Sequence, residues 1–341
     1  MLFRAALEIP AAAIIRKGEN NTNLFITILF FAMGILFVVK GGDYFVESAS
    51  WIAEISGIPK IIIGATIVSI ATTLPEMLVS VMAAYQGKTD MSISNAIGSV
   101  TANIGLIMAV SLIFMPGIIK RRDYLIKSVL MLSAALIIVI CGFCGKIDIV
   151  PSVLLLLIFA SFIAENIMGA EKTAASKELT KENNCLKDRK TVFFNIAKFA
   201  AGAVGILWGA QLLADNGSEL ARLAGVSERI IGITLVAVGT SLPELITTIT
   251  AIVKKQSDLS VGNILGANII DLTLIMPLSA LISGRPIPVS AASALIDLPA
   301  CLIVGLTAVV PAMISSRFSR RQGFILLALY DCYAAVTCFI V

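Results

Sequence analysis

SIATTLPEML, residues 69–78, sets a proline and a glutamate side by side, Pro75 and Glu76, inside a long apolar run. Each is costly there. Proline in a helix interior removes a backbone hydrogen bond and clashes with the carbonyl four residues earlier, at about 3 kcal/mol or more. A charge at the centre of a membrane helix costs on the order of 2.5–3.5 kcal/mol on insertion scales. The pair returns 168 positions later in AVGTSLPELI, residues 237–246, as Pro243 and Glu244. Two such penalties at matching places are hard to explain as packing.

The match extends beyond the pair. Residues 64–108 and 232–276 align without a gap, with 15 of 45 positions identical, among them Thr72/Thr240, Leu74/Leu242, Asp90/Asp258, Asn95/Asn263 and Gly98/Gly266. Upstream the likeness thins but continues, GGDYFVESAS at 41–50 facing GAQLLADNGS at 209–218. The chain is written twice.

Charged residues make up 14 % of the 341 positions and hydrophobic ones 58 %, whereas an average soluble chain is about 25 % charged. Apolar stretches of spanning length, roughly 17–25 residues, recur at 24–39, 60–86, 93–115, 124–144, 150–168, 192–214, 229–253, 261–282, 288–312 and 322–341. This predicts an all-α polytopic membrane protein of ten transmembrane helices. Each half holds five, and because five is odd the second half inserts upside down: two inverted five-helix repeats. The expected organisation is an N-terminal tail at 1–23, a first half at 24–168 containing the repeat 64–108, a cytoplasmic linker at 169–190, and a second half at 191–341 containing the repeat 232–276. Inverted repeats of this kind hold their sites near the bilayer midplane, on interrupted helices.

Basic residues favour the cytoplasmic side of a membrane protein. With the first span starting outside, seventeen Lys and Arg fall on that side, Lys127 and Lys254 among them, against eight on the other, including Arg229 and Arg285. Both termini are therefore expected outside a plasma (inner) membrane. Histidine is absent, which excludes imidazole metal sites and histidine acid–base catalysis. Cys141 and Cys144 form a CxxC that reads as small apolar residues at a helix end. Nothing points to nucleic acid, an organic cofactor or an obligate protein partner.

Thr72, Glu76 and Ser80 are spaced by four and share a helix face, as do Thr240, Glu244 and Thr248. The following spans carry Asn95, Ser99 and Asn103, matched by Asn263, Ala267 and Asp271. Such a set offers only oxygen, which suits a hard cation: Ca2+ takes 6–8 oxygen ligands, whereas softer metals prefer nitrogen and sulfur. Carbonyls opened by the prolines, around Ala71/Thr72 and Gly239/Thr240, are expensive in lipid unless satisfied, and a bound cation satisfies them. Asn95 and Asn263 suit the opened backbone and the ion equally. Gly98 and Gly266 read as points of close helix approach, and Asp90 and Asp258 as helix N-caps. Asp297 and Asp331 have no counterpart in the first half and stay unassigned.

The two blocks resemble the alpha repeats of the cation/calcium exchanger superfamily, in its microbial sodium/calcium exchanger branch. GTSLPE at 239–244 fits the family pattern, and ATTLPE at 71–76 fits it with conservative changes. The resemblance implies no enzyme but an antiporter, exchanging Na+ for Ca2+ by alternating access, with the first and sixth spans sliding against a bundle that carries the site. Carried over residue by residue, Glu76 and Glu244 become the central Ca2+ and Na+ ligands. Thr72 and Thr240 lend backbone carbonyls, Thr73 and Ser241 hydroxyls; Asn103 and Asp271 complete the middle, and Ser99 serves a peripheral Na+ position. The family often has Gly-Ser-Asn in both halves where this chain has Gly98-Ser99-Val100 and Gly266-Ala267-Asn268, so Ala267 lacks a hydroxyl. Proton-coupled relatives carry Gly-Asn-x-x-Glu where this chain has GSVTAN at 98–103 and GANIID at 266–271. Sodium is favoured, with H+/Ca2+ and K+-dependent Na+/Ca2+ antiport as alternatives. Symmetric breaks argue against a channel, and no paired-aspartate motif supports an intramembrane protease.

Overall fold

The computed structural model describes residues 20–117, 121–178, 189–224, 237–284 and 286–340. The first nineteen residues of the expected tail, residues 179–188 of the expected linker, residues 232–236 of the second repeat, Arg229 and Arg285 lie outside the described residues. Helices dominate: α1 (Asn20–Ser56), α2 (Lys60–Thr72), α3 (Leu74–Tyr85), α4 (Thr89–Phe114), α5 (Arg121–Phe143), α6 (Ile149–Glu178), α7 (Arg189–Leu223), α8 (Ala237–Thr240), α9 (Leu242–Val253), α10 (Ser257–Ser283), α11 (Ser293–Ser315) and α12 (Arg320–Ile340). Two short strands, β1 (Lys146–Ile147) and β2 (Ile287–Pro288), pair antiparallel. Among the described residues seven helices are long and apolar enough to cross a membrane, eight if the bent pair α2 and α3 counts as one span. The protein is multi-pass.

Two helices and one lysine depart from the sequence expectation. α1 continues to Ser56 instead of ending near residue 39. Its second part is held by tertiary partners: Asp43 and Glu47 pair with Lys254 at 3.1 and 2.8 Å, and Lys198 of α7 pairs with Glu47 at 2.5 Å. α6 runs to Glu178, ten residues into the expected linker. Lys127, expected in a cytoplasmic loop, lies within α5, fully buried and 2.5 Å from Glu165 of α6. Ionic partners on a neighbouring helix can hold a lysine inside, and a hydropathy profile does not see them.

The prolines do not open helices from within. α2 ends at Thr72 and α3 restarts at Leu74 with a 48° bend, leaving Pro75 in the first turn of α3. There its missing N–H has no intrahelical partner to lose. Pro243 has the same place in α9, behind a junction at Ser241. Each glutamate thus becomes the third residue of a new helix, where the dipole favours a negative charge.

Small residues bring backbones together, as membrane helices require. A Cβ added at Gly202 of α7 would stand 2.6 Å from the Phe45 nitrogen of α1, and the Phe45 and Phe199 rings stack at 4.5 Å. Between α2 and α10 the approach is closer: a Cβ at Gly262, Gly64 or Gly266 would lie 2.3, 2.4 or 2.5 Å from the carbonyl oxygens of Ile61, Leu259 and Ala65. Gly98, expected to act like Gly266, has nothing within 4 Å of its Cβ direction among the described residues. The N-cap positions of α4 and α10 are Lys88 and Gln256, without side-chain caps. Asp90 and Asp258 sit two positions further in, in the first turn, where they act on the helix dipole rather than as caps.

Candidate functional site

Among the described residues four stretches of π-helix fall within the long helices: Gly64–Val68, Asn103–Met108, Asp271–Ile275 and Ser293–Asp297. Single π turns inside α-helices are frequent at functional sites. Asn103 and Asp271, repeat mates, each open one. These two openings and the two proline junctions surround one polar centre. Glu76, Glu244 and Asp271 are all at most 1 % exposed, and both other carboxylates are near enough for their charges to act on Glu76.

Of the six carboxylate oxygens, five have no hydrogen-bond partner among the described residues; the sixth, Glu244 Oε1, accepts from Thr73 Oγ1 at 3.3 Å. Asn103 Oδ1 and the hydroxyl oxygens of Ser241 and Thr248 are likewise buried and unpartnered. Leaving one buried acceptor unsatisfied costs about 1–3 kcal/mol, and more when it is charged. Like charges gathered in a low dielectric add repulsion. A cation at the centre removes both penalties together. Among the described residues no three Asp, Glu, His or Cys side chains close into a metal cage by themselves. An ion held here draws on amide, hydroxyl and carbonyl oxygens as well, a donor set for a hard cation.

The other expected site residues fall around this centre. Thr72, 2 % exposed, donates across the halves to Asn263 Oδ1 at 3.2 Å. Thr73 and Ser241 are the junction residues, buried to 2 and 1 % exposure. Thr240, half-buried, ends α8; Ser99 is buried on α4. Asn95 Nδ2 donates to the Glu76 backbone carbonyl at 3.2 Å and to Ser80 Oγ at 2.9 Å, the backbone role of its two readings. Asp297 accepts from the Tyr333 hydroxyl at 3.0 Å, and Asp331 is exposed on α12. Cys141 and Cys144, both free thiols, line a cavity of about 400 Å³ with Lys146 and Asp148; none of its lining residues belongs to the carboxylate cluster. Sequence reading missed the Lys127–Glu165 pair, and it treated Asn268 only as part of a motif, although that side chain touches Asn103 at 3.1 Å.

A profile of the sodium/calcium exchanger protein family matches residues 26–168 and 194–339. The chain belongs to this family. It is 32 % identical over 310 residues to an uncharacterized membrane protein of Methanocaldococcus jannaschii, covering 90 % of this chain and 96 % of that one. Similarity to the sodium/calcium exchanger MaX1 of Methanosarcina acetivorans is 28 % over 353 residues, covering 92 and 99 %. Among solved structures, the sodium-calcium exchanger NCX_Mj soaked with Na+ and Sr2+ superposes with a TM-score of 0.77 at 28 % identity, over 92 % of this chain and 99 % of that one. Two of these relatives are named as sodium/calcium exchangers and the other as a membrane protein, in keeping with the apolar helices here.

Proposed function

We propose that this member of the exchanger family is a secondary antiporter that exchanges Na+ for Ca2+ across the plasma membrane by alternating access. In this reading ten spans form two inverted five-helix halves, 24–168 and 191–341, joined by a cytoplasmic linker, with both termini outside. One observation carries it: three buried carboxylates from both repeats gather with five of six oxygens unpartnered among the described residues. Glu76 and Glu244 hold Ca2+ or share Na+ ions. Asn103 and Asp271 complete the middle, Thr73 and Ser241 supply hydroxyls, Thr72 and Thr240 supply carbonyls, and Ser99 serves a peripheral Na+. One set of oxygens cannot fully coordinate both ion types together, so each ion displaces the other, and displacement at a shared site is the basis of exchange.

Everted membrane vesicles test the reading. Ca2+ uptake should follow an imposed Na+ gradient, and Glu76→Gln or Glu244→Gln should reduce it to background. Uptake driven by a pH gradient and indifferent to Na+ reassigns the protein to proton-coupled transport.

A further inference from the structure

We propose that Asn268 is a positioning residue that fixes the orientation of the Asn103 amide, so that its oxygen and not its nitrogen faces the transported ion. The inference rests on the reading that Asn103 is a ligand. An asparagine side chain has two ends of nearly equal shape and opposite character, a carbonyl oxygen that accepts and an NH2 that donates. Only the oxygen binds a cation. A ligand asparagine therefore needs something that makes one orientation cheaper than its flip.

The structure holds that device. Asn103 Nδ2 donates to Asn268 Oδ1 at 3.1 Å, while Asn103 Oδ1 is buried without a partner. Asn268 is oriented in turn: its Nδ2 lies 3.8 Å from the sulfur of Met131 on α5, an acceptor only. Both amides are at most 1 % exposed, so no bulk water competes for either end. The chain thioether, amide, amide runs from α5 through α10 to α4 and leaves one free oxygen at its end.

The repeats supply an independent argument. The mate of Asn103 is Asp271, and the mate of Asn268 is Val100. A carboxylate presents oxygen whichever way it turns, so Asp271 has no wrong orientation to prevent. Asparagine appears at the supporting position where the ligand is an amide, and valine where it is a carboxylate. The departure from symmetry at 100 and 268 follows the one at 103 and 271.

Four chains decide it in reconstituted vesicles: wild type, Asn268→Leu, Asn103→Asp and the double variant. For each, the half-saturating Ca2+ for uptake is measured with the Ca2+ concentration that half-maximally raises the melting temperature of the purified protein. Asn268→Leu should raise both about tenfold in the wild-type background and less than twofold beside Asp at 103. Met131→Leu, which keeps the volume and removes the acceptor, should move both in the same direction by a smaller factor and serves if Asn268→Leu does not fold. An equal penalty in both backgrounds, or none in either, overturns the positioning role while wild-type exchange stands. Wild-type vesicles without Na+-driven Ca2+ uptake overturn the functional reading, and this one with it.

Discussion

At the scale of single residues, the repeat pair Ser99 and Ala267 carries the clearest chemical difference between the halves. Both are buried, at 3 and 0 % exposure, and only one offers a hydroxyl. If Ser99 serves a peripheral Na+, the mate position has lost a ligand oxygen. Ala267→Ser should lower half-saturating Na+ about twofold to tenfold, the size of one net hydrogen-bond-like contact of about 0.5–1.5 kcal/mol, and vesicle transport titrated with Na+ measures it. An unchanged Na+ dependence would mean that residue 267 faces no ion. The acidic residues were legible in the sequence because a charge in an apolar run is rare and repeats are easily aligned. The roles of the amides were not, since whether Asn95 meets backbone or ion depends on a partner nineteen residues away.

At the scale of elements, the informative features are helix ends and crossings. Sequence reasoning placed both breaks correctly and misjudged their form. Pro75 and Pro243 start helices because the chain bends at Thr73 and turns at Ser241 instead of leaving a gap inside one straight helix. The crossing of α2 and α10 is the element on which the centre depends, since it sets Thr72 against Asn263. A Cβ at Gly266 would stand 2.5 Å from both the Ala65 carbonyl and Ser69 Oγ. Backbone cannot yield as a long side chain can, so Gly266→Ala should destabilise by about 1–3 kcal/mol, read as a lower melting temperature in detergent. Gly98→Ala, its repeat counterpart, should change stability little. Equal effects would show that the two glycines do the same work.

At the scale of the whole molecule, the protein keeps an acidic centre that is costly when empty. If Glu76, Glu244 and Asp271, gathered and buried in the folded state, hold a cation that the unfolded chain does not, preferential binding stabilises by mass action. Ca2+ at a hundred times its dissociation constant should add about 2.7 kcal/mol, seen as a rise in melting temperature that chelator reverses and Glu76→Gln or Glu244→Gln removes. A rise that survives both substitutions would locate the ion elsewhere. Around that centre, Lys254 at the end of α9 ties Asp43 and Glu47 of α1 to the broken helix, while Lys127 and Glu165 tie α5 to α6. The sequence by itself determined the membrane class, the internal sequence duplication, the two breaks and the acidic residues. All of these are local or periodic properties that burial in lipid makes expensive and so conspicuous. Only tertiary structure decided how far α1 runs, which charges are paired, and which end of each amide is free. Those outcomes depend on contacts between residues far apart in the chain, whose free energy no single stretch contains.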